Sequence, residues 1–287
     1  MPPRPKMQQP RTLARSLAFI VNRGLQIKYA QALRKICRTM VTQTGRELVQ
    51  FYERWFNSGR ETISGEAVGL LLDELQDRYG AEFDAVSHRL AEAMVQDVFD
   101  FSQSSYKSRI ADILPKPVKE NPLMLSGSAI TPEIQTTMEA AIAENVALIK
   151  SIPPQFIDRV AGTITRAMQY GIGDTKQLIS ELRKYGSMTM RRATNIALDQ
   201  SNKAYISLTM CQLRRSGIRR FEWLHTGGST HPREHHLRKW PAGLDGGVFD
   251  IDDPPVIEPS TGIKGFPGQL PYCRCTMCAV ITDEDFS

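Results

Sequence analysis

The chain has 287 residues, 41% of them hydrophobic and 23% charged, with a formal net charge of +5. That is room for one large domain or two smaller ones with a real core, in the composition of an ordinary globular protein. No apolar run reaches the ~18 residues of a membrane span, and Leu17-Ala-Phe-Ile-Val21 is too short, and too soon followed by charge, to be a signal peptide.

The charge is unevenly placed. Residues 1–46 hold ten Lys or Arg and no Asp or Glu, namely Arg4, Lys6, Arg11, Arg15, Arg23, Lys28, Arg34, Lys35, Arg38 and Arg46. The remainder is net acidic, so a basic arm on an acidic body is expected to meet nucleic acid or an acidic protein surface, or to be a solvated basic helix. Met1–Gln9, with three prolines and no apolar periodicity, reads as a tail.

Residues 12–110 read as helical. Val41, Leu48, Tyr52 and Trp55 mark one amphipathic face and Phe83, Val86, Leu90 and Met94 another. The aromatics Phe51, Tyr52, Trp55 and Phe56 are assigned to packing. Residues 114–132, broken by Pro115, Pro117 and Pro122, read as a linker. Thr131-Pro132 is a helix start, followed by an apolar face at Ile134, Met138, Ala141 and Ile142. Further helices are expected over 154–170, from Asp174 to Tyr185 after a stop at Gly171–Gly173, and over 189–216 with Gly217 as terminator. The expected division is thus a basic arm and first helix (1–46), a helical region (47–113), the linker (114–132) and a C-terminal module (133–287).

At Phe221 the period changes. Phe221, Trp223 and His225 alternate with Arg220, Glu222 and Leu224 as in a strand. Residues 226–275 show no period, and Cys278–Ile281 reads as a closing strand. The fold class is therefore α+β, mainly α, with a small β-sheet at the C-terminus. Four of the five histidines and three of the five cysteines lie between 225 and 278. An odd cysteine count with Cys-x-Cys-x-x-Cys spacing points to free thiols or metal ligands in a reducing cytosol rather than a disulfide framework.

Five elements in this region occur in the order of one protein family. They are Arg192-Ala193 with Ile196-Ala-Leu-Asp199-Gln200, Gly217 through Trp223, Pro232-Arg233-Glu-His-His236, Leu244-Asp245-Gly246, and Cys273-Arg274-Cys275. Residues 150–282 thereby resemble the head morphogenesis (minor head or minor capsid) proteins of tailed bacteriophages, the Mu F-like family. The motif residues are Trp223, Arg233, His236, Gly246, Cys273, Arg274 and Cys275. Two features depart from the family pattern. Ser229-Thr230-His231 stands where an Asp often precedes the Arg-x-x-His, and Lys239–Gly243 is inserted after it. The resemblance implies a structural protein of the phage head, at the head interior or portal vertex and in the host cytoplasm during assembly. Its implied partners are the portal protein and the major capsid or scaffold protein, with double-stranded DNA as a further candidate and no membrane.

Three chemistries compete for the His and Cys cluster. A structural zinc ion takes four N or S ligands, for which His225, His236, Cys273, Cys275 and Cys278 are the candidates. The alternative to a head-assembly role is a metal-dependent nuclease or processing factor of the packaging system, although Asp250, Asp252 and Asp253 read as a surface acidic run. A cysteine nucleophile beside a histidine is the third, without an orienting group to complete it. In the plain structural alternative, Cys273 and Cys275 sit on a tight turn, His236 bonds a backbone carbonyl and Arg274 meets a carboxylate. His231 and His235 are expected to be replaceable, and Asp199 either faces solvent or pairs with Arg233 or Arg192.

Overall fold

The computed structural model describes residues 11–57, 64–111, 113, 130–170, 175–229 and 231–282. Arg4, Lys6, most of the 114–132 linker, the stop at 171–173, Asp174 and the side chains of Trp55 and Phe56 lie outside the described residues. The fold is α+β and mainly α. A short strand β1 (Thr12–Arg15) precedes the helices α1 (Arg23–Asn57), α2 (Gly65–Ile110), α3 (Pro132–Lys150), α4 (Ile152–Tyr170) and α5 (Thr175–Arg215). Then come β2 (Arg220–Leu224), α6 (Glu234–Leu237), β3 (Val248–Asp250), β4 (Val256–Glu258), β5 (Ile263–Lys264) and β6 (Thr276–Thr282). Among the described residues no helix is long and apolar enough to cross a membrane.

The chain forms two compact units, one from residues 1–25, 95–140 and 199–287 and the other from 26–94 and 141–198. The second is helical. Leu33, Cys37, Met40, Leu48 and Tyr52 are buried along one side of α1, the three- and four-residue spacing that places side chains on one helix face. Arg78 binds both carboxylate oxygens of Glu47, at 2.9 and 2.6 Å, and the Tyr29 hydroxyl donates to Asn145 Oδ1 at 2.9 Å.

Two sequence expectations change here. The helices expected before and after residue 186 are one continuous helix, α5. Gly186 answers a helix contact, since a Cβ there would meet Val41 Cγ1 at 2.8 Å, and close approach of this kind is what glycine permits. The second change is that Thr12–Arg15 is strand, not helix, and pairs with β6. Four residues with no periodic signal are assigned by the edge they cover rather than by propensity.

The first unit holds the sheet, ordered β1-β6-β2-β3 and antiparallel throughout. Strand β6 lies inside it with every residue buried. Ser16 N–H bonds the Ala279 carbonyl at 3.0 Å and Phe19 N–H the Met277 carbonyl at 2.8 Å, extending the β1 contact. The unit's helical residues interlock through hydroxyls, with Ser105 Oγ on the Tyr205 hydroxyl at 2.6 Å and Gln212 Nε2 donating to Ser102 Oγ at 3.2 Å. Helix α5 ends at Arg215, and Gly217, the expected terminator, follows at φ +75°, with the Ile218 N–H returning to the Leu213 carbonyl at 3.0 Å.

Candidate functional site

The site is built on β2. Phe221 and Trp223 point into the core and are fully buried, and His225 follows them just beyond the strand end. The Trp223 indole meets the His236 ring edge-on, with centroids 5.0 Å apart. His236 comes from α6, a single turn that closes with the Leu244 N–H on the His235 carbonyl at 2.9 Å. Cys273 and Cys275 arrive on the turn before β6, entered through Tyr272 at φ +62°.

Three of the sequence candidates converge. His236, Cys273 and Cys275 are buried, and their ligand atoms all lie within 4.8 Å of one another. His236 Nδ1 is 3.5 Å from Cys273 Sγ and 3.8 Å from Cys275 Sγ. His236 Nε2 lies 2.9 Å from the Ile257 carbonyl of β4. A carbonyl only accepts, so Nε2 carries the proton and Nδ1 offers its lone pair to the sulfurs. His225, half-buried, adjoins the set with Nδ1 3.5 Å from Cys275 Sγ. Hydrogen bonding from the Cys275 thiol holds Cys273 below the usual thiol range. The Cys275 thiol is pushed up by the Cys273 sulfur and by burial.

Cys278 is not brought to this cluster. It lies opposite Glu222 in register and beside Arg15, which offsets part of the rise that burial imposes on its thiol. Arg15, grouped by sequence with the basic arm, is instead a strand residue in an ion pair with Glu222 at 3.1 Å. Arg23, Lys28, Arg34, Lys35, Arg38 and Arg46 are exposed along α1, and Arg11, also exposed, stands just before β1.

The remaining motif residues hold the loop in place. Arg233 donates to the Pro271 carbonyl at 3.0 Å and faces Glu258 at 3.6 Å. Arg274 reaches Asp199 of α5 at 2.5 Å, and the Tyr272 N–H donates to the same carboxylate at 3.1 Å. Asp199 therefore pairs with Arg274, not with Arg233 or Arg192; Arg192 donates to Ser151 Oγ at 2.8 Å. Gly246 N–H bonds the Trp223 carbonyl at 2.9 Å, and its φ of +80° explains the residue type.

Other groups of the site carry little sequence signal. Asp245 Oδ1 accepts the His225 N–H at 2.9 Å and Oδ2 meets Lys239. Burial works against its charge, yet these partners hold its carboxyl below the usual range. Ser229 and Thr226 hydroxyls bond the Tyr272 and Arg274 carbonyls. His235, expected to be replaceable, lies 3.0 Å from the Val256 carbonyl and so helps seat β4. His231 is exposed and stacks on Tyr272 at 4.6 Å. The 226–275 stretch is thus held by short elements and backbone bonds rather than being irregular throughout.

The cysteines and His236 are 2–4% exposed, and the partner orienting His236 is a backbone carbonyl. Asp252 is tied to Arg214 at 2.9 Å, Asp253 to Lys264 at 2.5 Å, and Asp250 accepts the Asp252 N–H at 2.8 Å. The acidic run is occupied in structure rather than gathered as a nuclease metal site.

Residues 158–278 match the family model described as Phage Mu protein F like protein. A protein of Haemophilus influenzae described as uncharacterized is 31% identical over 155 residues, which are 54% of this chain and 32% of that protein. The chain therefore spans about a third of the length of the curated relative it matches. No solved structure matches.

Proposed function

We propose that this chain, which through residues 158–278 belongs to the Mu F-like head-morphogenesis family, is a minor head protein that acts in head assembly by binding portal or coat protein at the head interior. The observation that supports this most is what its family-motif residues do. Trp223, His236, Cys273 and Cys275 are buried against one another, while Arg233, Gly246 and Arg274 bind backbone or a helix carboxylate. Residues spent on holding a module together leave recognition to its surface.

The exposed basic face of α1, with Arg34, Lys35 and Arg38, is the surface we assign to an acidic partner. Packaged DNA and an acidic patch of the portal are the two candidates. Phosphate contacts weaken steeply with salt because each releases counterions. The test is to disrupt the gene in the phage genome that carries it, then to count heads by electron microscopy and their proteins by mass spectrometry. Heads that lack the protein and are misassembled or fail to deliver DNA support the reading. Normal heads with normal infectivity and no copy of the protein in wild-type particles overturn it.

A further inference from the structure

The geometry points to a structural zinc ion held by His236 Nδ1, Cys273 Sγ and Cys275 Sγ, with His225, whose Nδ1 is 3.5 Å from Cys275 Sγ but which lies outside the mutually convergent three, turning in as the fourth ligand. This goes beyond the head-assembly reading and stands independently of it. Zinc holds thiolate sulfur at ~2.3 Å and imidazole nitrogen at ~2.0–2.1 Å in a tetrahedron, which sets each S···N edge at about 3.5–3.6 Å. The S···N distances here are 3.5, 3.8 and 3.5 Å for Cys273–His236, Cys275–His236 and Cys275–His225. Three edges of a zinc tetrahedron are thus already laid out. Weak thiol hydrogen bonds have no need of this convergence, since a chain of pairs serves them equally well.

The surroundings fit the same reading. A metal-bound histidine characteristically gives its other N–H to a carbonyl or carboxylate, which fixes the ring. His236 does this with Ile257 at 2.9 Å. Among the described residues the buried Trp223 Nε1–H has no hydrogen-bond partner, and its indole packs edge-on against His236 with centroids 5.0 Å apart. An indole N–H is suited to supporting a metal-bound sulfur.

The site also explains the loop. Between β2 and β6 the regular elements are of four residues or fewer, too short to be stable alone. Cys273 and Cys275 precede β6, His225 follows β2 and His236 lies on α6. One ion therefore ties three separate points of the chain, and metal binding supplies folding free energy directly. Two thiolates with two imidazoles is a ligand set that favours zinc over harder cations. Cys278 and the acidic run stay outside it.

The test uses the full chain, purified reduced and without an affinity tag that binds metal. Elemental analysis is expected to find one zinc per chain, and stripped protein refilled with cobalt(II) should show the tetrahedral thiolate spectrum. Zinc should shield Cys273 and Cys275 from alkylation, read by peptide mass spectrometry. C273S and C275S should weaken zinc binding by about tenfold or more, while C278A keeps stoichiometric metal. Should a serine variant fail to fold, the alkylation pattern of the wild-type protein decides. Protein that carries no zinc and gains no tetrahedral cobalt spectrum overturns the site. So does zinc that leaves Cys273 and Cys275 as reactive as in stripped protein, or that persists undiminished in a folded C273S/C275S double variant.

Discussion

Replacing Phe19 with alanine separates two views of the N-terminal segment, a detachable basic arm and an integral part of the sheet. Phe19 is fully buried. Its N–H bonds the Met277 carbonyl at 2.8 Å, its carbonyl accepts from Thr276, and the Arg109 guanidinium lies 5.7 Å from its ring centre. Truncating a core phenylalanine costs about 3–5 kcal/mol in lost transfer energy plus the cavity left behind. That is a large part of the roughly 5–15 kcal/mol that a domain has, and corresponds to a fall of roughly 6–20 °C in Tm. Leu17, two residues away and 72% exposed, serves as control, and its alanine variant should stay within about 0.5 kcal/mol. Urea unfolding followed by circular dichroism gives the energies. Hydrogen exchange at Ala279, whose N–H donates to Ser16 Oγ at 2.9 Å, gives a local reading that does not depend on both units unfolding together. Equal effects from the two alanines, or unchanged Ala279 protection in the Phe19 variant, would refute the integral-strand view. A practical consequence follows for functional work: deleting residues 1–46 removes β1, Phe19 and much of α1 along with the charge.

Three other outcomes are expected. Neutralising Arg34, Lys35 and Arg38 together to glutamine should change stability by less than about 1 kcal/mol, since all three are exposed, yet reduce retention on double-stranded DNA or on portal protein in salt-dependent binding assays; unchanged binding to both removes α1 as the contact surface. Gly186→Val should destabilise by about 1–3 kcal/mol through overpacking against Val41, whereas a neutral result in thermal unfolding would mean the helices separate freely there. Glu222, whose carboxyl is raised by burial despite Arg15, contributes stability below its unfolded pKa that is lost as pH rises through its folded pKa. Thus E222Q should gain stability relative to wild type as pH rises above the unfolded glutamate value of about 4, and a flat difference across that rise in urea titrations would contradict the assignment.

What the sequence made legible follows the reach of its signals. Helical periodicity carried the faces of α1, α2 and α3, and the start of α3 was marked by Thr131, whose Oγ1 accepts the Ile134 N–H at 3.3 Å. The alternation at Phe221 and Trp223 gave β2 its facing. Where contacts rather than local pattern decide, the reading stopped short. The expected helices end at Tyr185 and resume at Thr189, whereas α5 runs through Gly186, where a Cβ would meet Val41. Strand β1 exists because β6 has an edge to cover, which no property of Thr-Leu-Ala-Arg announces. At the site, His236, Cys273 and Cys275 were identifiable by residue type, but Cys278 was misgrouped because Cys-x-Cys-x-x-Cys spacing does not say where the turn ends. Cys278 falls within β6, opposite Glu222, so it faces a different neighbourhood from the turn cysteines.

The position of the motif residues bears on what the matched segment can vary. The matched segment, 158–278, contains His225, His236, Cys273 and Cys275 and both partners of the Asp199–Arg274 pair. It does not contain β1 or Phe19, which complete the sheet along β6, nor Ser102 and Ser105, which bond Gln212 and Tyr205. The shared segment thus supplies the fastening of the loop but not the whole core that the loop closes on. Surface charge on α1 can change without disturbing the core, because none of Arg34, Lys35 and Arg38 is buried. Phe19, Trp223 and the Asp199–Arg274 contact are not free, since each is tied to a group on a different part of the chain. Integrity rests on residues other than the α1 charges, so a binding defect in an α1 charge variant can be told apart from a folding defect.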